Sequence, residues 1–198
     1  MTFEEYLADM MLNIPFSRMN KYQQEFARIC LDVEFEQNVD QSNECPVIKV
    51  VDIAFNRMDL DGERAEYWEG CESAVSNLDA HEELLDDMCE LYSNKTAHKF
   101  HRYLCNLVAT VPFMSMTLHE QYFAEQFMRK YRKEHQSLQI EEETTANLRH
   151  EIDTYKTAKD TFCEMHIDGL EQAFWVGVDT CIKDMSRFSL VKSIVDRW

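Results

Sequence analysis

The chain has 198 residues, with 20 Lys+Arg against 37 Asp+Glu, 45% hydrophobic content and only 4 Gly and 3 Pro. That length suits one domain with a sizeable core, and the apolar fraction excludes a disordered chain. A net charge of −17 argues against nucleic acid or an anionic membrane surface as the main partner, no apolar run reaches the roughly 18 residues of a membrane span, and scarce Gly and Pro speak against a β-sandwich or a Gly-rich nucleotide fold.

Taken in chain order, the pattern is helical. A short first helix ends at Pro15, because proline cannot donate to the preceding turn. Residues Asn38 to Asn43 form a polar loop closed by Pro46 near a helix start. Val47–Ile53 is the best strand candidate, but it is short and runs into Ala54-Phe55-Asn56-Arg57-Met58, so it reads as helix. Asp59 to Gly62 is a capping turn. As an EF-hand loop with Gly62 at position six it would place Arg57 at position one and Trp68 at position twelve, where calcium needs carboxylates. Ser76-Asn77 and Ser93-Asn94 each read as the start of a further helix. Between them Leu84, Leu85, Met88, Leu91 and Tyr92 recur at three and four residues.

Phe100, Tyr103, Leu104, Leu107, Val108 and Val111 repeat that spacing, and Thr110 to Phe113 breaks it. Phe123, Phe127 and Tyr131 form an aromatic stripe. The apolar pattern lapses around Gln139 to Ala146, which reads as a second long loop or a helix junction. Asp168-Gly169 opens a last helix carrying Phe174, Trp175, Val178, Ile182, Met185 and Phe188. Its apolar face continues through Leu190, Val191, Ile194 and Val195 to Trp198, to dock on the bundle or meet a partner helix. The expectation is an all-α, compact multi-helix bundle of antiparallel hairpins with eight to ten helices. It forms one domain over 1–198, with N-terminal helices in 1–44, a central bundle in 45–138 and C-terminal helices in 147–198. No repeat at a fixed period is visible.

The charge is uneven. Residues 1–100 carry 8 Lys+Arg and 22 Asp+Glu, whereas 101–198 carry 12 and 15. The one dense basic cluster, Arg129, Lys130, Arg132 and Lys133, reads as a solvated helix end. Glu141, Glu142 and Glu143 are candidate partners within the chain, and a polyanion is the competing reading.

The seven cysteines, Cys30, Cys45, Cys71, Cys89, Cys105, Cys163 and Cys181, include no Cys-x-x-Cys pair, so zinc-ribbon and thioredoxin-type motifs are unsupported. Cys71 with Cys89, Cys89 with Cys105, Cys163 with Cys181 and Cys30 with Cys45 each bracket a predicted turn. Residues equidistant from a hairpin turn face each other, so disulfides are one reading; buried thiols in a helical core are the other. An odd count leaves at least one cysteine outside any intramolecular pairing. The first residues show no signal peptide. Either such a segment is missing from this version and the protein is secreted, or the protein stays in the cytoplasm. Asn94-Lys95-Thr96 is an N-glycosylation acceptor triplet.

Cys71 to Leu78, Met88 to Tyr92 and Phe100 to Cys105, with Cys45 upstream and Cys163 and Cys181 late, resemble a nematode-expanded family of secreted, cysteine-rich helical domains of unknown function. The chain departs from that family in having fewer and more widely spaced cysteines. The resemblance implies an extracellular location and disulfides, and it carries no catalytic residues.

For metal, His98, His101 and Cys105 share one helix face, and Cys163 with His166 forms a second half-site. The competing reading is exposed histidines beside core cysteines, and no cofactor is expected. Glu-x-x-His, needed for a di-iron carboxylate bundle, is absent. So are Gly-x-Ser-x-Gly, the P-loop and Gly-x-Gly-x-x-Gly. The function expected is non-catalytic binding of a protein or an apolar small molecule. The alternative is an intracellular helical protein with reduced cysteines, acting as a metal-dependent enzyme.

Overall fold

Two Pro-Phe joints and two Asp-Gly joints divide the chain the same way twice. The computed structural model describes residues 1–37, 46–80, 97–135 and 143–195. The first unit runs α1 (Phe3–Asn13), a 3-10 turn at Phe16–Arg18, α2 (Lys21–Gln37), α3 (Pro46–Arg57) and α4 (Gly62–Ala80). The second runs α5 (Ala97–Thr110), a 3-10 turn at Phe113–Ser115, α6 (Leu118–His135), α7 (Glu143–Glu164) and α8 (Gly169–Val195). Among the described residues there are eight α-helices and no strand. The fold is all-α, and Val47–Ile53 lies within α3.

The order of elements exposes an internal repeat, carried at two offsets rather than at one fixed period. Phe3, Tyr6, Leu7, Pro15, Phe16, Met19, Gln24, Phe26 and Ala27 recur as Phe100, Tyr103, Leu104, Pro112, Phe113, Met116, Gln121, Phe123 and Ala124, each 97 residues later. Phe55, Met58, Asp61, Gly62, Trp68 and Gly70 recur as Phe162, Met165, Asp168, Gly169, Trp175 and Gly177, each 107 residues later. The offset changes because α7 has 22 residues where α3 has 12. A search at one fixed period therefore loses either the nine matches at 97 or the six at 107.

Local structure repeats with the sequence. Asn20 caps α2, its side chain accepting from the Tyr22 and Gln23 amides at 3.0 Å, while Gln23 reaches back to the Asn20 amide at 3.1 Å. Thr117 and Glu120 exchange the same two bonds at α6, at 3.3 and 2.9 Å. Such reciprocal capping satisfies amides that a helix start leaves open. Gly62 and Gly169 open α4 and α8 at φ 48° and 51°, a left-handed conformation that glycine adopts without strain.

Each unit folds its aromatic residues around one tryptophan. Phe3, Phe26, Phe55 and Tyr67 surround Trp68 at ring-centroid distances of 5.0 to 6.3 Å. Phe100, Phe123, Phe162 and Phe174 surround Trp175 at 5.1 to 6.2 Å. Both indoles are buried, and neither N–H finds a hydrogen-bond acceptor among the described residues. Edge-to-face packing of this kind contributes about 1 kcal/mol per pair beyond area burial.

The units meet where α4 crosses α8. A Cβ on Gly70 would lie 2.2 Å from the Phe174 carbonyl oxygen, and one on Gly177 would lie 2.0 Å from that of Tyr67. Since Tyr67 and Phe174 are themselves equivalent, the crossing is a local two-fold in which each glycine admits the other helix's backbone.

Beyond the crossing, each helix inserts a polar side chain into the opposite unit. Asn77 of α4 donates to the Tyr103 hydroxyl at 2.9 Å and to Glu120 Oε1 at 3.0 Å, and Tyr103 donates to the same oxygen at 3.0 Å. Asp184 of α8 accepts from Gln23 at 2.8 Å and from Tyr6 at 3.4 Å. Tyr6 matches Tyr103, Gln23 matches Glu120 and Asp184 matches Asn77, so each node holds one carboxylate and one amide in exchanged positions. The fully satisfied nodes fix the register of α4 and α8 without leaving buried donors open.

This arrangement overturns the helix start expected at Ser76-Asn77. Asn77 lies inside α4 because Tyr103 and Glu120 hold its amide, and helix-breaking side-chain-to-backbone competition is thereby diverted. The Asp59–Gly62 turn caps α4 as expected. The Leu84–Tyr92 helix, the Ser93-Asn94 turn, Asn94, Cys45 and Cys89 fall outside the described residues, as do the side chains of the chain's last helix beyond Phe188.

Candidate functional site

The aromatic cluster of the second unit is not fully covered. Phe100, Phe162, Ile167, Trp175 and Val176 form the apolar wall of an open cleft of about 680 Å³ between α5, α7 and α8. His101, Gln172, Asp179 and Lys183 complete its lining, with Lys183 and Asp179 joined as an ion pair. The volume lies in the range of small-molecule sites, as does the pattern of apolar walls with a few polar groups.

The repeat shows which of these residues the fold itself requires. Phe100, Phe162 and Trp175 match Phe3, Phe55 and Trp68, so they answer to packing. The mouth is specific to the second unit. His101, Val176, Asp179 and Lys183 stand where the first unit has Glu4, Glu69, Glu72 and Ser76. Glu69 has its pKa raised, chiefly by burial and then by the neighbouring Glu66. Carboxylates at that mouth repel an anionic group and disfavour an apolar one; Val176, 41% exposed, invites contact.

Of the sequence-predicted metal residues, His101, Cys105, Cys163 and His166 have described side chains. Among the described residues no three His, Cys, Asp or Glu side chains come together in a metal-binding group. Cys105 is buried on α5, and His101 turns to the Tyr155 ring at 6.5 Å. Cys163 and His166 are exposed near the α7–α8 joint. The side chain of His98 lies outside the described residues.

Cys30, Cys71, Cys105, Cys163 and Cys181 are thiols. The expected Cys163–Cys181 pair is not formed. It assumed a turn near residue 172, whereas α7 ends at Glu164 and α8 begins at Gly169, so the hairpin centre falls several residues earlier. Cys163 stays exposed by the joint and Cys181 is buried far along α8. Burial raises the Cys30 pKa to about 12 and pushes Cys71 and Cys181 higher than usual. The Cys71 thiol also donates to the Gly177 carbonyl at 3.4 Å. Thiols held protonated in this way are poor nucleophiles and poor ligands.

In the basic cluster Arg129, Arg132 and Lys133 are exposed. Lys130 pairs with Glu164 at 2.5 Å and Arg129 with Glu125 at 3.8 Å; Glu141 to Glu143 have no described side chains. A second cleft of about 680 Å³ lies beside these residues, lined by Tyr122, Arg129, Lys130, Lys133, Glu134, Glu164 and His166 among others. Its mixed charges are largely matched within the chain. No helix among the described residues is long and apolar enough to cross a membrane. Comparison with protein-family models, curated proteins and solved structures finds no match.

The apolar wall was legible as an aromatic periodicity, but its role as a cleft wall was not. Sequence reasoning also missed Val176 and Gln172. The signal that marks them is the contrast with Glu69 and Ala65 at the same places in the first unit.

Proposed function

We propose that the chain is a non-catalytic binding protein, and that its ligand is a small, largely apolar molecule seated in the second-unit cleft. The supporting observation is the mouth. It carries Val176, Gln172 and His101 where the equivalent places of the first unit hold Glu69, Ala65 and Glu4. The aromatic floor supplies contact area, while Gln172, His101 and Lys183 can orient one polar or anionic end of the ligand. Protonated, buried thiols on α2, α4 and α8 favour binding over nucleophilic chemistry.

The test uses decanol and decanoate as probes, titrated by calorimetry and by tryptophan fluorescence. Saturable binding at or below about 1 mM is expected. Val176→Glu, which installs the residue the first unit carries, should weaken it at least tenfold while thermal unfolding stays unchanged. No saturable binding of either probe, or binding indifferent to Val176→Glu, overturns the reading.

A further inference from the structure

The outward faces of α2 and α6 occupy equivalent places, so differences between them are not demanded by the fold. On α2 the exposed stripe includes Arg28, Leu31, Asp32 and Glu36; on α6 it includes Glu125, Met128, Arg129, Arg132 and Lys133. Spacings of three and four place each set along one side of its helix. At three matched positions the charge is reversed, Arg28 against Glu125, Asp32 against Arg129 and Glu36 against Lys133, while Arg132 matches Phe35 in the sequence. The apolar position alone is kept, with Leu31 58% and Met128 42% exposed. Contacts within the chain use these groups only at the surface. Glu36 meets Arg57 at 2.7 Å, Glu125 meets Arg129 at 3.8 Å, and Arg28 lies over the Phe16 ring at 5.6 Å. Exposed pairs of this kind contribute little and are readily exchanged.

We propose that a second copy of this chain docks here, the α6 stripe of one molecule lying parallel to the α2 stripe of the next. In that register Glu125 meets Arg28, Arg129 meets Asp32, Lys133 meets Glu36, and Met128 packs on Leu31. Pairing α6 with α6, or α2 with α2, in the same register sets like charges together, so the pattern selects the unlike faces. Leu118 and Tyr122, 81% and 47% exposed, extend the apolar area of α6 toward its N-terminus. Each molecule carries one face of each kind, so the contact is heterologous and builds chains or closed rings.

Sedimentation of the full chain at about 100 μM, where contacts of micromolar Kd are populated, tests this. In low salt the mass should exceed one chain and rise with concentration. Near 1 M salt, where charges are screened beyond about 3 Å, it should fall toward one chain. The double variant Arg129→Asp with Lys133→Glu, and separately Asp32→Lys with Glu36→Lys, should each associate at least tenfold more weakly while keeping wild-type helical circular dichroism. Their equimolar mixture should associate again, because each then offers the face the other lacks. The milder Arg129→Gln and Asp32→Asn should weaken association by smaller factors. A wild-type chain that stays single in low salt overturns the proposal. So does association that ignores these substitutions, or a mixture that fails to recover it.

Discussion

In the first unit Lys21 reaches Glu63 at 3.2 Å and Arg64 reaches Glu25 at 2.9 Å. At the same places the second unit has Leu118, Leu170, Glu171 and Tyr122. Inside, the same devices recur in both units: the tryptophan clusters, the reciprocal caps, the Asp-Gly joints and the glycine crossing. The comparison separates two kinds of constraint. What recurs is what the four-helix unit needs in order to fold and pair. What differs, the cleft mouth and the outward faces of α2 and α6, was free to change.

The crossing of α4 and α8 should be the most sensitive point. Gly70→Ala or Gly177→Ala puts a methyl into a backbone carbonyl of the opposite helix, so one helix must move. Each substitution should cost at least about 3 kcal/mol in chemical unfolding, far beyond the roughly 1 kcal/mol that alanine adds in helix propensity. The two should cost alike. A neutral result at either glycine, or a large asymmetry between them, breaks the claim of a local two-fold.

The buried nodes should come next and should be unequal. Glu120 accepts from Ser73, Asn77, Tyr103 and the Thr117 amide at 2.7 to 3.0 Å. Glu120→Ala removes the acceptor shared by all four, leaving Asn77 only its bond to the Tyr103 hydroxyl, and should cost about 3 kcal/mol. Gln23 donates once to Asp184 and caps Asn20, so Gln23→Ala should cost about 1 to 2 kcal/mol. Equal losses measured by urea unfolding would show that the exchanged carboxylate carries no special weight.

Much of the interior was readable from the chain, because helical periodicity and the Pro and Gly joints act locally. Leu104, Phe123 and Phe174 fall on apolar stripes and are buried. The repeat was equally present in Ile14-Pro15-Phe16 and Val111-Pro112-Phe113 but was hidden by the change of offset. The polar nodes were not readable. Asn77 and Ser76 look like a helix start in isolation, and only packing against Tyr103 and Glu120 from another unit makes Asn77 an interior residue. The cleft stayed unread for a related reason: an aromatic stripe looks the same whether or not its last face is covered.

Asp184 gives the comparison a pH axis. Burial raises its pKa, and that outweighs the opposing bonds from Gln23, Arg187 and Tyr6. With the folded value above the unfolded one, the folded state binds the proton more tightly. The stabilisation is then full below the ordinary aspartate range, near about 4, and is lost as pH rises through the raised folded value. Asp184→Asn, which copies Asn77, keeps acceptors for Gln23 and Tyr6. It should raise the unfolding midpoint at pH 7 by a margin within about 1 kcal/mol and leave it unchanged at pH 3. A variant less stable than wild type at pH 7 would mean that the ionised carboxylate holds the node together.

The smallest effect sharpens the contrast between the surfaces. Leu118→Lys with Leu170→Glu writes the first unit's Lys21–Glu63 pair onto the second. Leu118 and Leu170 are 81% and 48% exposed, and the pair they would acquire is a surface one, so stability should change by no more than about 0.5 kcal/mol. If thermal unfolding instead shows a loss near 2 kcal/mol, these leucines are part of the second unit's own packing, and the units differ in how they are built. If stability is kept, the fold has no use for two exposed leucines where charge serves equally well. Their persistence there then has to be explained by what the second unit touches.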